Sequence, residues 1–129
     1  MRFEFEDSEV AEIRRLGDAL LIRFSAARLY EGDGRGAGAG WWQPALLICK
    51  QVVQIGPGLD AVLAAAGRLQ QARLQLAGQS LRRLPMPFAS DAGFALELEF
   101  AAGPSCSLQG QGLELSSPDA QCAVESFQC

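Results

Sequence analysis

The chain has 129 residues, 49% hydrophobic and 20% charged, with a formal net charge of −4 and a sequence pI near 4.8. That length suits one domain, residues 1–129, burying on the order of two thirds of the surface its unfolded form exposes, and the negative charge argues against nucleic acid as a partner. No run of roughly 18 apolar residues is present to cross a bilayer, and Met1-Arg2-Phe3-Glu4-Phe5-Glu6-Asp7 is not the start of a secretory signal, so a cytoplasmic protein with no membrane partner is expected.

The first predicted hairpin joins residues 9–15 to 19–29 through Leu16-Gly17-Asp18, where glycine supplies the positive φ of a tight turn. In its second strand Leu20, Ile22, Phe24 and Ala26 alternate with Leu21, Arg23, Ser25 and Ala27. Residues 31–40 carry glycine at every second position, which costs too much backbone entropy for a regular element and predicts a flexible loop. Trp41, Trp42 and Pro44 lead into residues 45–55, where Leu46, Leu47, Ile48 and Cys49 are apolar on both faces; this predicts a central strand covered on both sides.

Gly56-Pro57-Gly58 breaks the chain, after which Leu59, Val62, Leu63 and Ala66 take helical spacing and predict a short helix ending near Gly67. Alternation at Ala72, Leu74 and Leu76 favours a strand in the segment 68–77. Leu84-Pro85-Met86-Pro87-Phe88 lacks two backbone donors and reads as an edge. Phe94, Leu96, Leu98 and Phe100 share one face of an extended chain, with Ala95, Glu97 and Glu99 on the other: a half-buried antiparallel strand. From Cys106 to Leu115 the apolar phase slips from even to odd numbers, which one extra residue at Gly110-Gln111-Gly112 explains as a bulge with positive φ. A last strand is expected between Ala120 and Phe127. Together these elements predict a mainly β fold, an antiparallel β-sandwich or partly open barrel with at most one short helix.

The chain contains no histidine, which removes histidine-activated nucleophiles, histidine metal triads and imidazole proton shuttles. Cys49, Cys106, Cys122 and Cys129 form no Cys-x-x-Cys pair and are expected as free thiols, with Cys49 buried in the most apolar strand. Glu4, Glu6, Asp7, Glu9 and Glu12 form an acidic cluster without the loop that a calcium site needs, so a solvated face and no metal are expected. Glu97 and Glu99 suit a wet sheet surface better than a glycosidase pair. The glycine loop matches no phosphate-binding template, and no cofactor is expected. Arg14-Arg15 and Arg82-Arg83 each divide between two faces, which argues against a concentrated anion site. Tyr30, Trp41 and Trp42 remain as the candidate interaction surface, since adjacent tryptophans on a strand point to opposite faces and one of them can meet a partner.

Ten of the eleven basic residues are arginine, with Lys50 the one lysine, a codon bias that suggests a GC-rich bacterial source. The run Phe5-Glu6-Asp7-Ser8-Glu9-Val10, the strand Leu20-Leu21-Ile22-Arg23-Phe24, Trp42 before an apolar strand, and Leu96-Glu97-Leu98-Glu99-Phe100-Ala101-Ala102-Gly103 resemble a group of small bacterial all-β proteins, some of them similar to immunity proteins of toxin systems. Members often carry His where Glu6 stands, and the resemblance transfers no catalytic residue. It implies a non-enzymatic protein-binding module; the alternative is a small-ligand carrier with a cavity inside its β fold. An enzyme here would have to work through Asp7, Asp91 or the cysteines. The net acidic charge favours a basic protein partner, and uncovered strand edges leave a homodimer open.

Overall fold

The computed structural model describes residues 1–31 and 40–117. Its strands are β1 (Arg2–Leu16), β2 (Ala19–Tyr30), β3 (Gly40–Cys49), β4 (Gln54–Gly56), β5 (Gly67–Leu76), β6 (Gln79–Leu81), β7 (Arg83–Pro85), β8 (Phe88–Phe100) and β9 (Ser105–Ser116), with one helix, α1 (Leu59–Ala64). Six strands close in the order β1-β2-β3-β9-β8-β5 into an antiparallel barrel, β5 returning to β1 through the pairs Glu9–Arg68 and Val10–Gly67. The remaining three pair at its rim, β4 with β9, β6 with β5 and β7 with β1. A barrel with every main strand paired removes most edges, which the open alternative would leave.

Alternation builds the core. Leu20, Ile22 and Phe24 of β2, Leu69 and Leu74 of β5, Leu96, Leu98 and Phe100 of β8 and Leu113 and Leu115 of β9 are all buried. Phe3 packs edge-on to both Phe5 and Phe24, with ring centroids 4.8 and 5.1 Å apart, so β1 contributes to the core well before residue 9. The first strand thus starts seven positions earlier than the residue 9 expected for the first hairpin, because Phe3 and Phe5 alternate inward between the acidic residues.

The strand expected over 45–55 is two pieces. β3 ends at Cys49, Gln51 adopts φ 46°, and β4 begins only at Gln54. Nor is β3 covered on both sides: Ala45, Leu47 and Cys49 are buried, whereas Leu46 and Ile48 on the outer face are half-exposed. A barrel wall has one inside and one outside, so a two-faced apolar run leaves an apolar stripe outdoors. For the same reason β8 and β3 belong to one continuous sheet and do not differ as peripheral and central layers.

Three local expectations hold, the edge expected over Leu84–Phe88 only as far as Pro85, since Phe88 opens β8. Gly17 has φ 63° in the first hairpin, α1 stops before Gly67 with Val62 buried, and β7 is a three-residue edge strand. Lys50 N–H donates to the Gly112 carbonyl and Lys50 C=O accepts from Gln111 N–H, so two consecutive β9 residues share one partner; Gly112 sits at φ 106°. That is the bulge which resets the phase between Leu108 and Leu113. The expected strand between Ala120 and Phe127, with Cys122 and Cys129, and residues 32–39 of the glycine loop lie outside the described residues.

Candidate functional site

The first half of β1 is flanked by β7 and the second half by β5, and the change of partner falls at a bulge. Between Glu4 and Glu9 the β1–β2 register shifts, and Asp7 takes φ 69°, a left-handed conformation that Asp tolerates better than most residues. Ser8, fully buried, fills the gap in the ladder: its hydroxyl accepts from Arg28 N–H at 2.8 Å and donates to the Glu4 carbonyl at 2.6 Å. The irregular backbone is thereby satisfied from within. Asp7, turned outward by the bulge, places one carboxylate oxygen 3.1 Å from Arg28 on β2 and the other 3.4 Å from Arg68 on β5.

Above the bulge, the outer face of β3-β2-β1-β7 is set by register. Arg28 pairs with Trp42 and with Glu4, and Glu4 pairs with Arg83, giving one row of side chains across four strands; Tyr30 pairs with Gly40 and Arg2, and Arg2 with Pro85, giving the next. Directly paired residues share a face with Cβ atoms roughly 5 Å apart. Three arginines and one carboxylate therefore occupy these two rows beside a tyrosine and a tryptophan. Adding Arg68 brings in Asp7 and its register partner Glu9, and with the outward Glu6 four guanidiniums face four carboxylates among the described residues, while Glu31 is offset by the Met1 ammonium at 4.0 Å.

Glu4 is the centre of this face. Its side chain is only 14% exposed, with Arg28 at 3.6 Å and Arg83 at 3.7 Å, and it accepts a short hydrogen bond from the Tyr30 hydroxyl. The Tyr30 ring is flanked by the guanidiniums of Arg28 at 5.8 Å and Arg83 at 5.4 Å from its centroid. Burial, then the hydrogen bond to Glu4 and the charge of Glu4, push the Tyr30 phenol up to about 12, against the smaller opposing pull of the two arginines.

The three residues singled out from sequence separate. Trp42 is 55% exposed on this outer face, diagonal to Tyr30. Tyr30 is on the same face but itself buried under its arginine neighbours. Trp41 points the other way, packs against the core and donates its indole N–H to Gln43 at 3.2 Å. Further along the outer face of β3, Pro44, Leu46 and Ile48 continue from Trp42 as an apolar stripe about 20 Å long, the reach of six strand residues.

The acidic cluster is a solvated face with paired members: Glu6 and Glu9 are exposed and Asp7 and Glu12 half-exposed, while Glu4 alone is largely covered; Glu4 and Asp7 meet arginine, Glu12 meets Arg23 at 3.1 Å and Glu9 accepts from Ser25 at 3.0 Å. Arginines also do concentrate on one face, because Arg2, Arg28 and Arg83 come from three different strands; the dipeptides Arg14-Arg15 and Arg82-Arg83 could not reveal that. Pairing across strands is invisible until register is known.

Elsewhere, Glu97 and Glu99 flank a shallow outer trough of about 320 Å³ over β5, β8 and β9, where Gln71 donates to Glu99 at 3.2 Å. Cys49 and Cys106 are buried free thiols, both pushed up by desolvation, Cys49 to about 12. Among the described residues no three His, Cys, Asp or Glu side chains are grouped to hold a metal ion, and no helix is long and apolar enough to cross a membrane. Compared with protein-family models, curated proteins and solved structures, the chain matches none.

Proposed function

We propose that this protein is a non-catalytic protein-interaction module whose contact surface is the outer face of β3 and its neighbours β2, β1 and β7. The observation that carries the reading is the apolar stripe Trp42, Pro44, Leu46 and Ile48 on the outside of a closed barrel, with Trp42 more than half exposed. Contiguous apolar surface rimmed by polar groups is what contact sites use, and Trp and Arg are the residue types that anchor them. Arg28, Arg83 and Arg2 supply such a rim.

A small-ligand carrier is less favoured because Phe24, Phe100, Leu47, Leu69 and Leu96 are fully buried and occupy the space a ligand would need.

Photo-crosslinking tests the proposal. With p-benzoylphenylalanine at position 42, irradiated host cells are expected to yield a discrete protein adduct that is missing when the probe replaces Glu97 on the opposite wall. No adduct at 42, or the same adducts from both positions, refutes it.

A further inference from the structure

We draw no further inference here: the strongest candidate, the apolar stripe of Trp42, Pro44, Leu46 and Ile48 on the outer face of β3, belongs to the surface already described, and nothing in the structure shows what covers it.

Discussion

The Tyr30 hydroxyl donates to Glu4 Oε1 from the neighbouring strand, on a diagonal between the Arg2–Tyr30 and Glu4–Arg28 pairs. Because Tyr30 is the chain's one tyrosine, its titration can be read without interference. Burial and Glu4 raise it from the ordinary 10.0 to about 12. A phenol that holds its proton more tightly in the folded state contributes stability fully present below pH 10 and lost as pH rises towards 12. Phenolate absorbance after a rapid pH jump should therefore show a midpoint near 12 in the native protein and near 10 in denaturant. Glu4→Gln should bring the native midpoint down; an unchanged midpoint would show that Glu4 exerts no hold on the phenol.

Ser8 is the buried counterpart of this surface network. Replacing it with alanine leaves the Arg28 N–H and the Glu4 carbonyl without their partner inside the bulge. One buried unsatisfied group costs about 1–3 kcal/mol, so Ser8→Ala should lower the unfolding free energy by about 2 kcal/mol or more. Urea denaturation checks this, and Ser8→Thr, which keeps the hydroxyl, should lose less.

Asp7 separates backbone from charge. Its φ of 69° suits Asn nearly as well as Asp, whereas alanine there pays roughly 1 kcal/mol of left-handed strain. The ion pairs to Arg28 and Arg68 are partly exposed, so each contributes at most about 1 kcal/mol. Asp7→Asn should thus cost less than Asp7→Ala, and raised salt should narrow the gap between wild type and Asp7→Asn. If Asn and Ala prove equally destabilising, conformational strain plays no part.

Local rules were legible in the sequence and cross-strand relations were not. The β8 alternation from Phe94 to Phe100, the break at Gly56-Pro57-Gly58 and the phase slip before Leu113 all depend on residues within a few positions of one another. The start of β1 was missed because Glu4, Glu6 and Asp7 obscured the inward Phe3 and Phe5. The site was half legible: the period-two rule put Trp41 and Trp42 on opposite faces without saying which meets solvent, and the neighbours of Trp42 lie on other strands, Arg28 on β2 and Arg83 on β7. Their gathering around Glu4 depends on register, which one shifted residue would undo. Barrel closure is equally non-local, since it rests on two residue pairs between β1 and β5.

Gly110 and Gly112 serve different needs at one bulge, and alanine substitutions should distinguish them. A Cβ on Gly110 would stand 2.6 Å from the Lys50 carbonyl oxygen and 2.9 Å from that of Gln51, both backbone atoms that move only with the chain. At Gly112 the nearest atoms are the Lys50 side chain at 3.2 and 3.3 Å, which can yield, but φ is 106°. Gly110→Ala should therefore disturb the strand contact itself, with amide shifts spreading through Lys50, Gln51 and Phe94 and a stability loss of about 1–3 kcal/mol. Gly112→Ala should also destabilise, by about 1–2 kcal/mol of backbone strain, with shifts confined to the bulge. A harmless Gly110→Ala would mean that β9 and the segment after β3 approach less closely than 2.6 Å implies.

Cys49 gives a separate reading of how tightly the barrel interior is closed. It is fully buried at the end of β3, and desolvation pushes its thiol from 9.0 up to about 12, so almost no thiolate exists near neutral pH. Alkylation at pH 8 followed by peptide mass spectrometry should leave Cys49 unmodified in the native protein and modify it fully in denaturant. Cys106, also raised by burial, lines the outer trough and should react sooner than Cys49 as denaturant is added. Because β3 carries both Cys49 and Trp42, the order of events locates where the barrel first loosens. Labelling of Cys49 only at the global unfolding transition places β3 in the most stable part of the sheet, and earlier labelling would show that β3 opens ahead of the rest of the core.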